Sequence, residues 1–259
     1  MDLGISGRTA LVCASTQGLG LACAKALLAE GVKVVINGRQ SAKLEATLEA
    51  LRAEYEGAIS GVVADVTTGE GREALLHACP TPDILINNNA GPEPAPFADL
   101  DDAAWLSAVN ANMIAPIQLV RAVLPTMRAN RFGRIVNITS AMVTTPRPHM
   151  TLSAGARAGL TAAMKGLSFE VAKDNVTINN LLPERIDTDR QHRMAQAAMK
   201  REGIDYDEAR KRQIDSIAAQ RLGQPSEFGA ICAFMCSAMA GFVSGMNVHV
   251  DGGSYPALI

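Results

Sequence analysis

Thr9-Ala10-Leu11-Val12-Cys13-Ala14-Ser15-Thr16-Gln17-Gly18-Leu19-Gly20-Leu21 is the stretch that decides the architecture. Thr9–Cys13 reads as a short strand apolar on both faces, and helical spacing takes over across Leu19–Ala29. Between them the loop Ala14-Ser15-Thr16-Gln17-Gly18-Leu19-Gly20 carries glycines at a strand-to-helix turn. Glycines there let backbone amides approach a bound anion, and the helix N-terminus that follows favours negative charge. A glycine pair alone says little; its place after the first strand of an alternating chain gives it weight.

Outward from that loop the alternation continues to the end of the chain. Strand-like runs are Lys33–Ile36, Ile59–Ala64, Ile84–Ile86, Arg134–Ile138, Thr177–Leu182 and Asn247–Val250. Helical patterns lie at Leu44–Arg52, Ala103–Met127, Ala156–Ala172 and Glu227–Met239. Strands apolar on both faces, each followed by a helix, imply a parallel sheet covered on both sides. The expected fold is therefore α/β: one Rossmann-type, doubly wound parallel sheet of about seven strands spanning residues 1–259. The polar, charged segment Glu184–Gln220 reads as a lid over the sheet's carboxyl edge, where such folds bind ligands.

Composition narrows the partners. Apolar residues make up 48% and charged residues 19% of the 259, an ordinary globular profile. A net charge of −2 and the lack of a Lys/Arg cluster point away from nucleic acid and anionic membranes. Five cysteines without a neighbouring His pair read as buried thiols, so no metal site is expected. The uncharged stretch Phe228–Met246 is interrupted by glycines and serines, and reads as a buried helix running into a strand. With the first strand beginning near Arg8, a cytoplasmic protein without a leader is expected.

The second strand runs into Asn37-Gly38-Arg39. An acid at this point bonds an unphosphorylated ribose, whereas an arginine suits a 2′-phosphate. Gly38 stands at the acidic position and Arg39 follows, which favours NADP(H) over NAD(H); a solvated surface arginine is the other reading.

Further motifs complete the pattern: Ala64-Asp65-Val66 after the third strand, Asn87-Asn88-Asn89-Ala90-Gly91 after the fourth, and Asn112 seven residues past Trp105. Ser140 ends Gly133-Arg134-Ile135-Val136-Asn137-Ile138-Thr139-Ser140, and Pro183-Glu184-Arg185-Ile186-Asp187-Thr188 follows the sixth strand. Along essentially its whole length the chain resembles the short-chain dehydrogenase/reductase family. The resemblance implies cofactor contacts from Ala14, Ser15, Gly18, Leu19, Gly20, Arg39, Asp65, Val66, Asn87, Arg157, Pro183 and Thr188. It implies catalytic positions at Asn112, Ser140, Ser153 and Arg157. Two departures stand out. Ser153 and Arg157 occupy the positions of the family's tyrosine and lysine, and Glu184 replaces a glycine.

A phenol with a pKa near ~10 is a far stronger acid than a serine hydroxyl. Arg157 keeps a positive charge but does not release a proton near neutrality. The electrostatic half of the family's pair is thus kept and the acid half is open. Candidates for the proton are Ser153, His149, Tyr206, or water relayed by Ser140 and Ser153. Three functions follow: an NADP(H)-dependent oxidoreductase acting on a carbonyl or alcohol, a redox-impaired nucleotide- or ligand-binding sensor, or a lyase akin to halohydrin dehalogenases, which resemble this family. Arg185, Asp187, Asp189, Arg190 and Arg193 hint at a polar or anionic small-molecule substrate, although solvated helix faces look the same. Small residues on Ala103–Met127 and Ala156–Ala172, with the family's habit of pairing these helices, imply a homodimer or homotetramer.

Overall fold

The computed structural model describes residues 1–258. Its elements follow in chain order β1 (Thr9–Val12), α1 (Gly18–Ala29), β2 (Lys33–Gly38), α2 (Ser41–Glu54), β3 (Ile59–Val63), α3 (Gly69–Ala78) and β4 (Ile84–Asn87). Then come α4 (Asp102–Val109), a π-helical turn (Asn110–Ile114), α5 (Ala115–Ala129), β5 (Gly133–Ile138), α6 (Thr151–Val171) and β6 (Val176–Pro183). The last are α7 (Asp189–Glu202), α8 (Tyr206–Asp215), α9 (Pro225–Cys236) and β7 (Asn247–Val250). All seven strands pair in parallel in the order β3-β2-β1-β4-β5-β6-β7. The order reverses direction between β1 and β4, and the crevice outside the strands' carboxyl ends at such a switch point is where ligands bind.

Alternation along each strand builds two cores. From β1, Ala10 and Val12 join Leu27, Leu44 and Phe228 on one face, while Leu11 and Cys13 join Leu119, Leu160 and Met164 on the other. Ile84 and Ile86 of β4 split from Leu85 in the same way. Each fully buried aliphatic side chain of this kind is worth about 1.5–3 kcal/mol relative to exposure.

Helix α3 was not foreshadowed by periodicity, because Gly69 and Gly71 dilute its pattern. Its start is nevertheless encoded: Thr68 caps it by accepting from Gly71 N at 3.0 Å. Gly71 has no freedom to change, since a Cβ there would lie 1.9 Å from Asp65 O. The uncharged stretch at Phe228–Met246 resolves into α9, a turn at Ala240–Gly241 and the approach to β7. A different helix, Asp102–Ala129, is long and apolar enough by length and composition to cross a membrane.

Four asparagines cross the sheet side by side. Asn87 Nδ2 donates to Asn137 Oδ1 at 2.9 Å, Asn137 Nδ2 to Asn180 Oδ1 at 3.0 Å, and Asn180 Nδ2 to Asn247 Oδ1 at 2.9 Å. The row joins β4, β5, β6 and β7, and its first three members are buried.

Candidate active site

One cleft of about 620 Å³ runs along the carboxyl edge from the loop after β1 to the start of α7. At its near end Ala14, Thr16, Gln17, Gly18 and Leu19 open onto it. Ala14 holds a left-handed conformation (φ 44°) that suits glycine better than alanine. Its backbone is gripped on both sides: Ala14 N donates to Asn37 Oδ1 at 2.7 Å, and Ala14 O accepts from Asn88 Nδ2 at 3.0 Å. Gly20 cannot carry a side chain, because a Cβ would stand 2.5 Å from Ala14 O. Gly18 (φ 59°) has nothing closer than Thr188 at 3.9 Å, so its open face looks across the cleft to the start of α7.

Arg39 is 73% exposed at the cleft's rim and pairs with Asp65 at 3.7 Å. Asp65 lies below its ordinary carboxylate range. Burial works against that shift, and hydrogen bonds from the Thr67 amide and hydroxyl, aided by Arg39, outweigh it. Asp65 and Val66 both line the cleft.

Ser140, Ser153, Arg157, Pro183 and Thr188 gather at the far end. Ser140 caps a short 3-10 turn by accepting from Met142 N at 3.2 Å, which leaves its own O–H free to donate. Ser153 Oγ has no hydrogen-bond partner among the described residues. One turn further along α6, Arg157 is buried at 7% exposure. Its Nη1 donates to Ile138 O at 2.7 Å and its Nη2 to Asn89 O at 3.3 Å. No carboxylate among the described residues pairs with it. Burial pulls its guanidinium down to about 10, with Arg190 pushing the same way, so it remains a cation at neutral pH.

Other expected residues stand behind the wall. Ser15 is fully buried; its hydroxyl donates to Val12 O at 2.7 Å and accepts from Asn37 N at 3.0 Å, tying β1 to β2. Asn87 belongs to the asparagine row. Asn112 sits in the π-helical turn, buried at 3%, with Oδ1 unpartnered and Nδ2 bonded to Ala108 O. Gly20 supports the loop without lining the cleft.

The structure also sorts the candidate proton donors. Tyr206 Oη lies 2.6 Å from His192 Nδ1, away from the cleft. Tyr55 bonds Glu54, and Tyr255 stacks on His249. His149 lines the cleft in a left-handed conformation (φ 65°), and its carbonyl accepts from Ala95 N at 3.0 Å, pinning the proline-rich loop. Glu184, where the family has glycine, is gripped by Arg147 at 3.1 Å and Arg185 at 3.4 Å, a closed charge group that spacing alone did not reveal.

The sequence profile of the family described as enoyl-(acyl carrier protein) reductase matches residues 13–255. The chain therefore belongs to that family, within the short-chain dehydrogenase/reductases. It is 30% identical to the NADPH-dependent reductase BacG of Bacillus subtilis, over 98% of this chain and all of the relative. It is 31% identical to the 3-oxoacyl-[acyl-carrier-protein] reductase FabG of Haemophilus influenzae, over 97% of this chain and 99% of that one. In structure it resembles L-sorbose reductase from Gluconobacter frateurii complexed with NADPH and L-sorbose. The TM-score is 0.95 at 29% identity, covering 100% of both chains.

Proposed function

We propose that this chain is an NADPH-dependent reductase of small carbonyl compounds that works without a tyrosine acid. The observation that carries the reading is the single unbroken cleft joining the glycine loop, Arg39 and the Ser140–Ser153–Arg157 floor. The residues fit the dinucleotide. The open face of Gly18 and the N-terminus of α1 receive the pyrophosphate, Arg39 the 2′-phosphate, and Asp65 and Val66 the adenine end. NADPH, when bound, supplies the hydride that reduces a carbonyl carbon. The chain's part is to seat the carbonyl oxygen on the free hydroxyls of Ser140 and Ser153 and to supply its proton from water held against them. Arg157 stabilises the developing negative charge from a site poor in water, where electrostatic interactions are strongest. The reading as a redox-silent sensor has less support, since full-length relatives include an NADPH-dependent reductase and a 3-oxoacyl-[acyl-carrier-protein] reductase.

Turnover tests this directly. Protein mixed with NADPH and a panel of small aldehydes, ketones and oxo acids is expected to consume the cofactor with at least one of them, followed by loss of NADPH absorbance. Tight NADPH binding with no consumption across the panel would move the assignment to a binding protein.

The same reading includes self-association. Ile117, Val120, Leu124, Met164 and Leu167 line an apolar groove between α5 and α6, and Leu106 of α4 and Phe169 of α6 are also exposed. Only 28% of the apolar stretch within Asp102–Ala129 is buried in one chain, which leaves a face suited to a two-fold partner. Light scattering is expected to report a homotetramer or homodimer; a monomer at micromolar concentration contradicts the proposal.

A further inference from the structure

Arg157 and Arg190 reach the same small volume from opposite walls of the cleft. Gly91 lies between them: a Cβ there would stand 3.4 Å from Arg157 Nη2 and 3.8 Å from Arg190 Nη2. Any side chain at this position would fill the gap between the two guanidinium groups, and glycine leaves it open.

Neither cation has a buried counter-ion. Arg157 bonds only the backbone carbonyls of Ile138 and Asn89. Arg190 donates to Gly91 O and Pro92 O, and its one acidic neighbour, Glu93 at 3.4 Å, is 77% exposed on the rim. Of the other cleft arginines, Arg147 and Arg185 pair with Glu184, Arg39 with Asp65 and Arg201 with Glu202, while Arg193 is not among the groups nearest Gly91. Two like charges converging in a secluded site are unfavourable by themselves, and an anion placed between them relieves the repulsion. Each guanidinium carries five N–H donors, more than the bonds it makes here use, and such forks suit a carboxylate.

We propose that the cleft binds a substrate carboxylate between Arg157 and Arg190, and that the protein acts on oxo acids or the matching hydroxy acids. The assignment rests on the reductase reading for its chemistry, while the anion site stands on the geometry alone. Ser153 and Arg157 are four residues apart on α6, so they lie one above the other on one helix face, with Cβ atoms about 5–6 Å apart. Both residues line the cleft, so a substrate whose carboxylate is held between Arg157 and Arg190 can present a nearby carbonyl to the Ser153 hydroxyl. Short 2-oxo and 3-oxo acids match that spacing; a neutral sugar or a long acyl chain leaves the arginine pair unsatisfied.

The test compares matched acid and amide. Isothermal titration of NADP⁺-loaded protein uses 2-oxobutanoate, its uncharged amide, and inorganic phosphate as a free-anion control. The acid is expected to bind at least tenfold more tightly than the amide. Arg190→Gln is expected to erase that difference, and Arg190→Lys to restore part of it. The NADPH affinity and melting temperature of both variants check that the cleft is intact. Equal binding of acid and amide, or a preference that survives Arg190→Gln, overturns the proposal. Phosphate binding as tightly as the oxo acid overturns its assignment to a substrate. The two readings separate cleanly. Rapid NADPH consumption with neutral ketones and no advantage for acids keeps the reductase and discards the carboxylate site. Acid-selective binding lost in Arg190→Gln, without turnover of any carbonyl compound, keeps the site and discards the reductase.

Discussion

Arg157→Met is expected to slow carbonyl reduction by about 10²–10³-fold, the scale of losing one preorganised charge from a water-poor site. Its melting temperature should meanwhile stay level or rise. The two effects part because the guanidinium is functionally placed but energetically costly. It is buried with no carboxylate partner, and burial already pulls it down to about 10. A buried charge that lacks a counter-ion carries a desolvation penalty of several kcal/mol in real proteins. Methionine fills the stem's volume and removes that penalty. Against this, Ile138 O and Asn89 O lose their donors, at about 1–3 kcal/mol for each group left unsatisfied. Arg157→Ala gives up the volume too and should be the less stable variant, by about 2–5 kcal/mol. Turnover by the methionine variant within threefold of wild type would remove Arg157 from the reaction. A large loss of both activity and melting temperature in it would make the residue a structural staple.

Arg39→Ala should abolish the preference for NADPH over NADH, by about 10–100-fold in relative affinity. That factor corresponds to one charge-assisted hydrogen-bonded contact of about 1.5–3 kcal/mol. The side chain stands at the rim and is steadied by Asp65 at 3.7 Å, so on the proposed reading the arginine for the 2′-phosphate is already held in place. Because the group is largely exposed, the preference should weaken as ionic strength rises, with screening set by a Debye length of about 10 Å at 0.1 M. Fluorescence titration of both cofactors at two salt concentrations measures it. Equal affinities in the unmodified protein, or an unchanged ratio in the variant, refute the role.

The sheet was readable from sequence because strands buried on both faces leave long apolar runs, and β1, β2, β5 and β6 do so. Helix α3 was not, since Gly71 serves a close backbone approach at Asp65 and, with Gly69, dilutes the apolar stripe that a pattern search needs. The segment after β6 was legible as an insertion, but its content as two helices and the inward reach of Arg190 were not. Which arginine faces a cleft depends on helix phase relative to a distant loop, here Gly91–Glu93, and no local pattern records that distance. Gly18, Arg39, Ser140, Ser153 and Arg157, singled out by motif spacing, all line the cleft. It did not distinguish residues that line a surface from those that hold it up, as at Ser15, Gly20, Asn87 and Asn112. The departures at Ser153 and Glu184 were visible as letters, while their consequences needed coordinates: a hydroxyl without a partner and a carboxylate clasped by two arginines.

The row of asparagines has a mechanical meaning. Neighbouring strands are ordinarily tied by backbone hydrogen bonds and by weaker packing between side chains on each face. Here three amide links stitch β4, β5, β6 and β7 laterally, so sliding any one of them by a residue turns its asparagine to the opposite face and unfastens the row. Carboxamides neither gain nor lose protons across the range where enzymes work, so the stitching holds regardless of acidity. The row thus acts as a lateral tie across the four strands whose carboxyl ends border the cleft.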